Sequence, residues 1–202
     1  MKTIALLLLG AFALMDFKQP VSELSETDRK YAIGHLTDTK NQLLKDIEGL
    51  SQAQLNFKAS ATSWSIAECV EHIAIAETNI FGLMQQGLAE EANPARRSEI
   101  KITDEKLLEV ITDRSEKFQA PETFKPSNSF GSYEATVKAF TTKRDGNIEY
   151  LKSTKDDLRN HYNQLPFGLV DTYQTILFMS GHSKRHTLQI EEILAHKDFP
   201  KK

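Results

Sequence analysis

The residues most able to do chemistry are two histidines four positions apart, His182 and His186, in the stretch Gly181-His182-Ser183-Lys184-Arg185-His186-Thr187-Leu188-Gln189-Ile190. Residues four apart on a helix share one face. Met179, Ile190 and Ile193 lie on that same face, so both imidazoles point inward. A third histidine, His72, falls in register with Cys69, Ala76, Ile80 and Leu83 when the chain is advanced about 100° per residue. It is therefore on the buried stripe of its own helix. Neutral imidazole is a good ligand for zinc, nickel, copper or iron, and three protein nitrogens leave a coordination position open for water or substrate. For each histidine taken alone, a satisfied core residue is the alternative.

Other site chemistries fit less well. A zinc protease places Glu directly after the first histidine of the pair, and here that place is Ser183. A di-iron bundle needs Glu-x-x-His pairs, whereas Glu68 precedes His72 by four and Gln189 follows His186. No nucleophile elbow is present. Cys69, the single cysteine, reads as a small buried residue one turn before His72, with a soft fourth ligand as the alternative. One cysteine excludes an internal disulfide and an all-Cys zinc site.

Four long helices must position these groups. The first, from Leu24 to about Leu50, carries Ala32, Leu36, Leu43, Ile47 and Leu50 at helical spacing, with His35 off the stripe. The second opens on a Ser65/Glu68 capping box and runs to about Gln86, where Gly87 offers a stop. The helical wheel places Glu71 and Glu77 away from His72. Residues from Ala89 to Asn128 read as a long irregular connection with a minor helix from about Asp104 to Phe118. Ser132 caps the third helix, whose apolar stripe includes Arg144, either reaching the edge or paired with a buried acid. Asp171 and Gln174 open the last helix, Thr172 to about Ala195. With no convincing strand, the fold class is all-α, a four-helix bundle.

At 202 residues the chain is long enough for one domain with its own core. Its 25 basic and 28 acidic residues lack the basic bias of a nucleic-acid binder. Residues 1–20 read as a signal peptide: Met1-Lys2, a short apolar run from Ile4 to Met15, and small Ala11 and Ala13. The run is too short to span a bilayer comfortably, so no stable membrane insertion is expected after cleavage. The chain is then exported, periplasmic or extracellular, with residues 21–202 as the helical domain.

Trp64-Ser65-Ile66-Ala67-Glu68-Cys69-Val70-Glu71-His72-Ile73, followed over a hundred residues later by His182-Ser183-Lys184-Arg185-His186-Thr187-Leu188-Gln189-Ile190, resembles the DinB-like (DinB/YfiT-like) superfamily of metalloenzymes. The resemblance implies an up-and-down four-helix bundle with a divalent ion, zinc or nickel, held by His72, His182 and His186. It also implies a thiol transferase or a metal-dependent hydrolase acting on a small molecule. Export separates the chain from cytosolic thiols, which favours hydrolysis or plain ligand binding over thiol transfer. Gln189 and Arg185 are the candidates to support the site: Gln189 by bonding an imidazole or a water, Arg185 by holding an anionic group at the rim or else standing solvated. The bundle faces offer a surface for a homodimer.

Overall fold

The computed structural model describes residues 23–201. The signal peptide expected over residues 1–20 lies outside them. Each main helix begins where the sequence offers a side-chain acceptor for its unpaired amides. Ser25 caps α1 (Glu26–Ile47), whose acidic first turn and Lys45 in the last turn both suit the helix dipole. A capping box of Ser51 and Gln54 opens the single-turn α2 (Gln52–Leu55), in a stretch that reads as plain polar loop in the sequence. The Ser65/Glu68 box opens α3 (Ile66–Ala89), Ser132 caps α5 (Tyr133–Ser153), and the Asp171/Gln174 box opens α6 (Thr172–Leu194). Between α3 and α5 lie a 3-10 turn at Pro94–Glu99, α4 (Asp104–Thr112), which ends before Phe118, and a second 3-10 turn at Glu122–Phe124.

Two features depart from the sequence expectation. A β-hairpin, β1 (Tyr162–Leu165) with antiparallel β2 (Gly168–Asp171), precedes α6 where no strand was expected. Four-residue strands are too short to show a period, and only the Pro166-Phe167-Gly168 turn hints at them. Nor does α3 stop at Gly87. A Cβ there would lie 2.9 Å from the Tyr162 carbonyl oxygen and 2.8 Å from Thr172 Cγ2. The glycine is a seat for the hairpin, not a terminator.

The bundle closes as a ring: α1 packs on α5 and α6, and α3 packs on the same two helices. Among the described residues its core has two apolar clusters. One joins Leu36, Ile80, Leu151 and Ile176; the other joins Leu43, Ile66, Phe140 and Ile193. The order in which each helix crosses the clusters gives its direction. α1 and α6 pass from the first to the second, and α3 and α5 pass from the second to the first. The bundle thus differs from a simple up-and-down one, because its consecutive helices α3 and α5 run parallel. This explains the long connection: α3, with 24 residues, is about 36 Å long, and the chain must retrace that length before starting α5. On the way it packs α4 against α6 and passes the histidines.

Candidate metal centre

His72 on α3 and the His182/His186 pair on α6 meet where those two helices pack. His72 Nε2 lies 3.2 Å from His182 Nε2 and 3.0 Å from His186 Nε2. No other His, Cys, Asp or Glu among the described residues joins this converging set, Cys69 included. An ion about 2.0–2.1 Å from two imidazole nitrogens holds them about 2.9 Å apart at a right angle and about 3.3 Å apart at the tetrahedral angle. The observed separations fall inside that range.

Two hydrogen bonds choose which nitrogen faces inward. His72 Nδ1 donates to the Phe124 carbonyl at 2.7 Å, and His186 Nδ1 donates to Gln189 Oε1 at 2.9 Å. A carbonyl oxygen can only accept, so the proton sits on Nδ1 in both rings and each Nε2 presents a lone pair. Two lone pairs 3.0 Å apart with no proton between them repel, and a cation between them removes the repulsion. His182 differs: its buried Nδ1 has no partner among the described residues, so no bond at that nitrogen selects its tautomer.

Burial holds all three rings neutral, the form a metal requires. Desolvation is the main cause for each. It lowers His72 despite the Phe124 bond and takes His182 well below the usual imidazole value. It brings His186 to about 3, with further lowering from the charged form of His72. The same burial pushes the Cys69 thiol up to about 12. Cys69 is thus a closed core residue at neutral pH, not a reactive thiolate.

The other candidate side chains have definite places. Gln189 orients His186, as above. Arg185 is only 7% exposed and points away into the connection. Its guanidinium donates to the carbonyls of Asp113 and Glu116 and lies over the Phe118 ring, so it neither holds a rim anion nor stands in solvent. Glu68 completes its capping box and pairs with Lys58. Glu71, which the wheel places outward, is buried and accepts from the amides of Ser127 and Ser129, pinning the connection beside the site. Glu77, also placed outward, is buried against Arg144 in a bidentate pair with both contacts at 2.7 Å. Arg144 thus takes the second of its two expected roles. Its remaining donors go to Leu36 O, Thr39 and Ser183, so all five guanidinium protons are used. Ser183 adjoins His182, and this network fixes how α6 is rotated toward α3.

Sequence reasoning missed two contributors. The Phe124 carbonyl is main chain and carries no residue signal. Trp64, the chain's single tryptophan, packs its ring 4.8 Å from His72; its position just before a capped helix start was the available clue.

Known proteins resemble the chain throughout this region. The model of the DinB superfamily matches residues 35–190. The uncharacterized protein YuaE of Bacillus subtilis (strain 168) is 32% identical over 149 residues, which cover 73% of this chain and 88% of YuaE. Among solved structures, YfiT from Bacillus subtilis aligns with a TM-score of 0.57 at 16% identity, covering 87% of this chain and 90% of YfiT. YfiT is described as a probable metal-dependent hydrolase with an unusual four-helix bundle topology. At that identity the likeness is one of fold.

Proposed function

Because the chain belongs to the DinB superfamily, we propose that it is an exported metal-dependent hydrolase in which His72, His182 and His186 hold one divalent ion, zinc or nickel. The approach of His72 Nε2 to within 3.0–3.2 Å of the other two Nε2 atoms, with the three ligand nitrogens all inside 4.8 Å of one another, carries this reading. A divalent ion bound there supplies a Lewis acid and lowers the pKa of a coordinating water or thiol. The chain's own residues do the rest. The Phe124 carbonyl and Gln189 hold two imidazoles in the ligating tautomer. His182 and His186 stay half-buried, which leaves a small molecule a way in. Hydrolysis is preferred to thiol transfer because export would remove the chain from cytosolic thiols. YfiT's description points the same way.

One observation favours a second reading, binding without turnover. The three carboxylates of α3 that could serve as a base, Glu68, Glu71 and Glu77, are each already engaged. Metal analysis of the mature protein separates the readings. About one equivalent of zinc or nickel is expected. His186→Ala should lose the metal and its turnover of activated esters while keeping its helical circular dichroism. The mass of the same protein, secreted from its host, should lack residues 1–20. No divalent metal in the wild type, with unchanged thermal stability in His186→Ala, would overturn the site. Metal without turnover of esters or thiols would favour binding alone.

A further inference from the structure

Three aromatic side chains from three different segments stand beside the histidines, and a fourth stands against one of the three. Trp64, just before α3, lies 4.8 Å from the His72 ring and 6.1 Å from the His186 ring. Phe124, from the connection, lies 6.3 Å from His72. Phe178 of α6 lies 6.0 Å from His182, and Phe167 of the hairpin turn lies 5.6 Å from Phe178. Core packing alone accounts poorly for their exposure. Trp64, Phe124 and Phe178 are only half-buried, and Phe167 is 41% exposed. From Thr172 to Gly181 every residue of α6 is buried except Phe178, and it is the one beside His182. A large apolar ring left in water next to a polar cluster has its surface available to a ligand.

The two sides of this rim belong to different parts of the core. Phe124 and Phe178 pack on the cluster around Leu36 and Ile176, and Trp64 packs on the one around Ile66 and Phe140. The imidazoles thus lie between apolar walls. The carboxylates of α3 are committed elsewhere, as shown above, and the groups set against the imidazoles are π-faces and edges. Such surfaces favour a flat, uncharged ring through offset or edge-to-face contacts.

We infer that Trp64, Phe124, Phe178 and Phe167 form a subsite for an aromatic group carried next to the reacting group of a small-molecule substrate. This rests on the three-histidine metal reading and adds to it the class of substrate.

Two hydroxamates with the same chelating head, acetohydroxamate and benzohydroxamate, test it by calorimetric titration of the zinc-loaded mature protein. Benzohydroxamate should bind about tenfold more tightly, as one or two ring contacts imply. Trp64→Ala and Phe178→Ala should each shrink that ratio to about threefold or less. Phe167→Ala, whose ring stands against Phe178, should also shrink it while leaving zinc content and acetohydroxamate affinity unchanged. Zinc retained with equal affinities for the two probes, or a ratio untouched by all three variants, overturns the aromatic subsite alone. No retained zinc and no binding of either probe overturns the metal reading and the subsite with it.

Discussion

At Gln189 one side-chain amide decides which nitrogen of His186 faces the other two rings. Its Oε1 accepts the Nδ1 proton at 2.9 Å, and without an acceptor the proton can move to Nε2 and remove the lone pair a metal needs. Partners of this kind are worth about 10–100-fold in metal affinity. Gln189→Leu is therefore expected to weaken zinc binding by that factor in competition with a chromophoric chelator. Gln189→Glu, which keeps an acceptor, should retain or strengthen it. Equal affinities for Gln189→Leu and the wild type would mean that packing alone orients His186. The histidine pair and Gln189 are legible in the sequence because helical spacing is enough to place side chains on one face. The bond that orients His72 is not, since its acceptor is a backbone carbonyl brought in by a 3-10 turn 52 residues away.

Helix α3 shows where periodicity stops being informative. A wheel assigns one buried stripe and leaves the rest to solvent, and on that basis Glu71 and Glu77 point outward. But α3 packs on α5, α6, β1 and the returning connection, and little of its surface is left for water. Two of its acids are buried for that reason, each with a dedicated donor set. The Glu77–Arg144 pair is fully buried on both sides, so removing one partner strands a charge away from water. Glu77→Ala should lower unfolding free energy by about 3–5 kcal/mol in urea. The double variant Glu77→Ala with Arg144→Met should lose clearly less than the sum of the two single changes. Additive losses would show that the pair is not coupled. Helix starts, by contrast, are local chemistry, and the capping boxes at Ser65 and Asp171 mark the observed beginnings of α3 and α6.

Across the whole molecule, the two apolar clusters are separated by a polar layer to which all four main helices contribute. Thr39 from α1, Glu77 from α3, Arg144 and Asn147 from α5, and Ser180 and Ser183 from α6 meet there, with Ser183 next in sequence to His182. The sequence shows each polar residue as an isolated interruption of a stripe; only the bundle's closure stacks them into one layer. The histidines that burial holds neutral make the stability of the metal-free protein depend on pH. Above about pH 6.5 the imidazoles are neutral whether the chain is folded or not, and they add no pH dependence. Below it the unfolded chain takes up protons, while folded His186 resists until about 3 and His182 and His72 are shifted in the same direction. Stability therefore falls as pH falls, by about 1.4 kcal/mol per unit for each fully shifted histidine, or about 2 kcal/mol from His186 alone between pH 6.5 and 5. Urea midpoints of the chelator-treated protein at pH 7, 6 and 5 should show this decline, and His186→Gln should reduce its slope. A midpoint that stays level over that range would mean that the folded protein binds these protons as readily as the unfolded chain. Added zinc should raise the midpoint most at pH 7 and least at pH 5, because protons and metal compete for the same three nitrogens.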